Sequence, residues 1–150
     1  DIQSSTKTKG YWDESSAQIV KDIATMKNAI KTYYNGVSDF VLVVHPDREV
    51  DIMSYIYEKG AQAPTMANAI AMNGSIGQVA GATIITSMSI ASSMALLVVP
   101  KRCATWKELM PLSTNVEERK FKDTKITACE MGVTQLTDPK AVVKMQVRLL

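Results

Sequence analysis

The sequence predicts an α+β fold, a central sheet with flanking helices followed by a β-rich segment. Three observations carry this. An amphipathic helical pattern stands between Ser16 and Tyr34, two short unbroken apolar runs read as buried strands, and the stretch after Pro111 alternates apolar and polar residues with period two.

The first twelve residues are polar and rich in Ser, Thr and Lys, and the first fourteen are expected to form a flexible lead-in. Ser15 with Gln18 fits a capping box, in which each side chain satisfies a free backbone N–H. Ile19, Ile23, Met26, Ile30 and Tyr33 then recur at steps of three and four, one face of a helix. Lys21, Asp22, Asn28 and Lys31 fall on the wet side, and Asn35-Gly36 supplies the stop.

Phe40 to Val44 is short, apolar and β-branched, as expected of a strand buried on both faces. Pro46 suits the first turn of a second helix, where its missing N–H needs no partner. Val50, Met53, Ile56 and Tyr57 make the inner stripe of that helix, and Gly60 ends it. Residues 61–75 read as a long loop. Gly77 to Thr86 reads as a hairpin turning at Gly81, and Met94 to Val99 as a second buried strand stopped by Pro100.

Beyond Pro111, Leu112 to Glu118 reads as an edge strand and Ile126 to Leu136 as a longer one, with Thr127, Cys129, Met131 and Val133 on one face. Ala141, Val143, Met145, Val147 and Leu149 alternate with Lys144, Gln146 and Arg148, which is a half-buried strand. The last two strands are expected to pair antiparallel across Asp138-Pro139. The segment from 112 to 150 is expected to form a subdomain apart from the core at 15–111.

Composition narrows the function. At 150 residues, 46% hydrophobic and 21% charged, the chain can bury a core and is not disordered. A net charge of +2 demands neither nucleic acid nor a membrane. The most apolar window, Val79 to Pro100, is broken by six Ser and Thr residues, so no membrane span is expected. The chain opens on Asp1, and Lys7 and Lys9 precede no apolar run of the signal-peptide kind. A processed chain or a fragment is the expectation. Cys103 and Cys129 match no zinc or CxxC spacing and read as buried reduced thiols, with pairing left open.

Sites of chemistry are not evident. His45, the single histidine, stands beside a proline with no Cys, Asp or Glu cluster spaced around it, and reads as structural. Gly74, Gly77 and Gly81 fit neither GxGxxG nor a P-loop and read as turns. Glu117 to Asp123 mixes both signs, unlike a nucleic-acid patch, and suits a solvated connection or a rim of intersubunit ion pairs. Met66, Met72, Met88, Met94 and Met110 crowd the middle of the chain. Methionine packs adaptively and is frequent at protein contacts, which favours assembly.

The order of these motifs resembles the HK97-like major capsid proteins of tailed phages. The amphipathic helix from Ile19 to Tyr34 is followed by Phe40-Val41-Leu42-Val43-Val44-His45-Pro46, similar to a family strand that ends in Asn-Pro. Val79 to Ser87 is similar to a Gly-x-Pro-Val-Val-x-Ser stretch, and Asp138 to Val143 to a closing Pro-x-Ala-Ile/Val-Val. The resemblance covers residues 17–150, the C-terminal half of such a protein.

It implies a structural subunit of an icosahedral shell, with residues 15–111 as the axial domain and 112–150 returning to the peripheral domain. The N-terminal arm, extended loop and spine helix would lie upstream of Asp1. It implies self-association into pentamers and hexamers, contact with other virion proteins, and a place in the virion after assembly in the host cytoplasm. No enzyme activity, metal, cofactor, membrane or sequence-specific nucleic-acid partner is implied. Some relatives join a Lys to an Asn near the start of the penultimate strand with help from a Glu. Here Lys122 and Cys129-Glu130 stand near those places, but no Asn follows Asn115, so the cross-link does not carry over.

Two other functions fit the same sequence. An encapsulin-like nanocompartment shell shares the fold and encloses an enzyme in place of a genome. A small α/β ligand-binding or enzyme domain requires a concave pocket with convergent polar groups, for which the sequence offers no cluster.

Overall fold

The computed structural model describes residues 1–58, 77–119 and 123–149. In chain order the strands and helices are β1 (Gln3–Ser5), α1 (Ile19–Lys31), β2 (Val41–Val44), α2 (Pro46–Glu58), β3 (Gln78–Val79), β4 (Ala82–Thr86), β5 (Met94–Val98), β6 (Ala104–Arg119), β7 (Asp123–Leu136) and β8 (Val142–Gln146). They form two compact units. One is Asp1–Cys103 together with the chain from Asp138 on; the other is Ala104–Thr137.

The first unit holds a six-stranded sheet in the order β1-β8-β5-β2-β4-β3. β2 is antiparallel to β5 and parallel to β4, and β8 is antiparallel to β5 and parallel to β1. Register sets the core. Leu42 lies opposite Leu97, and Leu97 opposite Val143; Val44 lies opposite Ala95, and Ala95 opposite Met145. Partners across a ladder share a face, and all six side chains are buried. Ile19, Ile23, Met26 and Ile30 of α1 and Ile52 and Ile56 of α2 join the same cluster. Each such side chain contributes about 1.5–3 kcal/mol by leaving water. Val41, Val43, Leu96 and Val98, on the other face, are only half-buried. The expected central strands and the burial of Ile23, Met26 and Ile30 are borne out.

The ends of α1 differ from expectation. The capping box does not form: Gln18 is the N-cap without a side-chain bond, and the Ser16 hydroxyl donates to Glu14 at 3.2 Å. The helix stops at Lys31, ahead of Gly36, with the Thr32 hydroxyl donating to the Asn28 carbonyl at 2.9 Å. Asp22 is not on the wet side. It is fully buried and accepts from the Thr8 N–H at 2.6 Å and the Trp12 indole N–H at 3.0 Å.

The same bonds correct the flexible lead-in. β1 pairs with β8, Trp12 is only 3% exposed, and its backbone N–H donates to the Val147 carbonyl at 3.0 Å. A large aromatic with a satisfied N–H anchors a segment whose composition alone reads as loose.

α2 begins at Pro46 as expected, but its buried stripe is Arg48, Ile52 and Ile56. Val50 and Tyr57, expected inside, are exposed, and Met53 is half-buried. Arg48 occupies the core stripe because Asp51, one turn on, neutralises it in an ion pair. Gly60, Met66, Met72, Gly74 and the loop expected at 61–75 lie outside the described residues. The β3–β4 hairpin turns at Ala80-Gly81, both at positive φ (50° and 70°), the geometry of a two-residue hairpin turn.

After β5 the differences are larger. Leu112 to Glu118, expected as an edge strand of its own, is only the second half of β6, which begins at Ala104 and runs through Pro111. Pro111 is tolerated because the β6–β7 register shifts between Met110 and Ser113, where no ladder N–H is needed. The last two strands do not pair with each other. β7 pairs with β6, and β8 enters the central sheet between β5 and β1. Asp138-Pro139 leads instead into a single 3-10 turn at Pro139–Ala141, capped by the Asp138 carboxylate accepting from Lys140 N–H at 3.0 Å. The units therefore divide at Cys103 and Asp138, not at Pro111. Both cysteines are free, but only Cys103 is partly buried; Cys129 is exposed.

Candidate interaction surface

The second unit is a single antiparallel hairpin, 16 residues in β6 against 14 in β7. At about 3.3 Å per residue it extends about 50 Å. A two-stranded ribbon has no third layer to bury its side chains and is marginal by itself in water. Nearly every described position on it is exposed, including Trp106, Leu112, Val116, Met131, Val133 and Leu136, with Leu109 at 79% and Ile126 at 70%.

Register assigns these to faces. In the distal half, Val116 lies opposite Ile126 and Thr114 opposite Ala128; the reverse side carries Asn115 with Thr127, Ser113 with Cys129, and Glu117 with Lys125. Nearer the root, Met110 pairs with Met131. Strand alternation puts Met131 and Val133 on the face of Cys129, and Leu136 on the face of Ile126. Apolar groups therefore stand on both faces, and among the described residues neither strand has a second ladder partner. A surface of this kind marks a protein contact.

One internal feature stiffens the ribbon. The Trp106 indole lies over Gly132, where a Cβ would collide with the ring and come within 2.9 Å of the Lys107 carbonyl. An aromatic covering a strand glycine restores the side-chain contact that the glycine lacks.

In the first unit, just outside the root of the hairpin, Tyr34 donates its hydroxyl to Asp138. That bond, helped by the Lys140 and Ala141 backbone N–H groups and the Lys140 charge, holds the Asp138 carboxyl below its ordinary range although burial opposes it. The same bond raises the Tyr34 hydroxyl. Arg102 stands 5.3 Å from the Tyr34 ring centre and Lys140 stands 4.7 Å from that of Tyr33. Lys27 donates to the Ala80 carbonyl at 2.6 Å, and partial burial followed by the nearby Lys31 charge lowers its pKa. Burial raises Asp51 despite Arg48.

His45 is half-buried, and its Nδ1 accepts from the Asp47 N–H at 3.3 Å and lies 3.2 Å from the Asp47 carboxylate. Among the described residues no three of His, Cys, Asp and Glu converge, and no helix is long and apolar enough to cross a membrane.

Sequence reasoning found part of this surface. Thr127, Cys129, Met131 and Val133, expected to share one face of a strand, do so and are exposed, Cys129 against the expectation of a buried thiol; Val143, Met145 and Val147, expected on a half-buried strand, are core residues of the six-stranded sheet. It missed Trp106, Leu109 and the Gly132 contact. The alternation of Ala104, Trp106 and Glu108 with Thr105 and Lys107 was the available signal, hidden by Pro111.

No protein-family model matches the sequence, and no curated protein does. Solved structures do match. A protein of Mycobacterium phage Che8 is 15% identical with a TM-score of 0.70, over 96% of this chain and 53% of its own. The mature capsid of bacteriophage PhiM1 is 15% identical with a TM-score of 0.65, over 97% and 52%. A virus-like particle from Pyrococcus furiosus is 16% identical with a TM-score of 0.55, over 97% and 56%. The chain spans about half the length of these proteins. The α+β capsid fold implied by the sequence resemblance is the fold of this chain.

Proposed function

We propose that the chain is part of a structural subunit of an icosahedral viral capsid, of the phage or prophage kind, and has no enzymatic role. The observation that supports this most is the pairing of a compact α/β unit with a bare apolar hairpin on a fold shared with shell-forming proteins. An enzyme gains nothing from a 34-residue arm with apolar groups on both faces. A shell subunit needs such an arm to overlap its neighbours.

In this reading residues 1–103 and those from 138 on form the axial part, facing the ring axes of pentamers and hexamers. The hairpin belongs to the peripheral part, where a spine helix and extended loop from outside this chain cover its apolar faces. The subunit assembles in the host cytoplasm, joins other virion proteins and resides in the virion. The test is expression of the full-length protein, followed by sedimentation and electron microscopy. Shells are expected from the full-length protein, while the 150-residue chain stays monomeric or forms rings weakly. A full-length protein that stays monomeric under every assembly condition would sink the reading.

A second reading, an encapsulin-like nanocompartment shell, is compatible with the same fold, which the Pyrococcus furiosus virus-like particle shares. Nucleic acid inside purified particles supports the capsid; a packaged enzyme supports the compartment.

A further inference from the structure

Asn35-Gly36, which the sequence offers as the stop of α1, does not end that helix. α1 closes at Lys31 with Thr32 as its C-cap. Gly36 instead turns the chain further on, at a φ of 78°, and both residues of the pair are exposed. Tyr34 before them and Val37 after them pack against the core. The pair is therefore a short exposed link between anchored residues. No atom lies within 4 Å of the place that a Gly36 Cβ would occupy, and among the described residues nothing accepts from the Gly36 N–H.

An asparagine followed by glycine carries its own chemistry. The backbone nitrogen of the glycine attacks the side-chain amide carbon of the asparagine. The N–Cγ bond forms, the Cγ–NH2 bond breaks, and ammonia leaves with the proton that the nitrogen gives up. The product is a cyclic imide, a succinimide. Water then opens it at either carbonyl. Opening at the side-chain carbonyl gives aspartate; opening at the main-chain carbonyl gives isoaspartate, whose backbone runs through the side-chain carbon. Nothing is oxidised or reduced, and water is the only co-reactant. Glycine favours the attack because it has no Cβ to crowd the nitrogen or to restrict its backbone.

Position selects Asn35 from the other asparagines among the described residues, Asn28 and Asn115. Asn28 sits inside α1, where each backbone N–H donates to the carbonyl one turn back. Asn115 sits in β6, opposite Thr127, and is followed by the stiff, β-branched Val116. Either must leave its helix or strand before the next nitrogen can reach its side chain. Asn35 lies in neither. Asn73-Gly74 repeats the dipeptide and lies outside the described residues.

The structure assigns Asn35 as a site of spontaneous deamidation in the folded chain, with isoaspartate and aspartate as its products. Both products replace a neutral side chain with an anion. Isoaspartate also adds a backbone carbon between Tyr34, whose hydroxyl is bonded to Asp138, and Val37 in the core.

Incubation of the protein in mildly alkaline buffer tests the assignment, with an unchanged circular-dichroism spectrum showing that it stays folded. Samples are digested with trypsin and weighed by mass spectrometry. Cleavage after lysine and arginine puts Asn28, Asn35, Asn73 and Asn115 in separate peptides. The Asn35 peptide should gain the mass difference between NH2 and OH at least about tenfold faster than the Asn28 and Asn115 peptides, which wait on local opening. It should split into two chromatographic species, and in heavy-oxygen water it should take up the label. Asn35→Gln, which must close a larger ring, should abolish the change in that peptide and leave the others as they were. An Asn35 peptide that changes no faster than those of Asn28 and Asn115, or that changes only in urea, overturns the assignment.

Discussion

Trp12 donates its indole N–H to the carboxylate of Asp22 at 3.0 Å, and this bond fastens the N-terminal segment to the first helix. The second carboxylate oxygen takes the Thr8 backbone N–H at 2.6 Å. Asp22→Ala strands both donors, and a buried unpaired donor costs about 1–3 kcal/mol. The expected loss is about 3 kcal/mol, read as a lower urea midpoint with an unchanged slope. Asp22→Asn keeps an acceptor and should lose less. Equal midpoints for wild type and Asp22→Ala would show that the segment is not held this way.

How legible was this arrangement? Helix periodicity located Ile19, Ile23, Met26 and Ile30 correctly because a 3.6-residue repeat reports which face is dry. It put Asp22 in water because a period cannot see a partner ten residues upstream. On α2 the same logic chose Val50 and Tyr57 over Arg48, since an arginine enters the core only when a carboxylate goes with it. Period two marked both β7 and β8 as strands but does not say with whom a strand pairs. That depends on long-range register, and β8 found β5 and β1. In β6, Pro111 reads as a break until the bulge that absorbs it is known.

Tyr34 and Asp138 predict a pH dependence. The folded carboxyl titrates below its ordinary range, chiefly because the Tyr34 hydroxyl donates to it. A pKa depressed by folding contributes stability that is complete above the unfolded carboxylate value and lost as pH falls through the folded one. Tyr34 shifts upward, with the Asp138 bond as the largest cause, so its share is complete below the ordinary phenol range and lost as pH rises through the raised value. Tyr34→Phe should return the Asp138 titration, followed by carboxyl carbon NMR, toward the ordinary range. An unmoved titration would show that Tyr34 is not the cause.

Gly132 is expected to resist substitution. Any Cβ there meets the Trp106 ring and approaches the Lys107 carbonyl at 2.9 Å. Gly132→Val must push the indole off the strand, at a cost of about 1–3 kcal/mol for overpacking. In a Trp12→Phe background, Trp106 is the remaining tryptophan, and its emission should shift to the red. Gly132→Val with Trp106→Ala should recover most of the loss, because the clash is then gone. A single variant with wild-type emission and melting temperature would contradict the packing.

The Val116–Ile126 pair separates what the hairpin does alone from what it does in an assembly. The two side chains lie directly opposite on the outer half of the ribbon, and both are exposed. Val116→Ser with Ile126→Thr removes apolar surface that already faces water in this chain. Its effect on the melting of the 150-residue chain should stay within about 0.5 kcal/mol, and solubility should rise. In the full-length protein, with the same face covered, each lost side chain forfeits about 1.5–3 kcal/mol of burial, and shells should fail to form. Asn115→Ser with Thr127→Ser, on the adjacent rung and the opposite face, separates loss of apolar burial from mere alteration of the hairpin and should leave assembly intact. If the apolar pair can be replaced with no effect on shell yield, that face is not a buried contact.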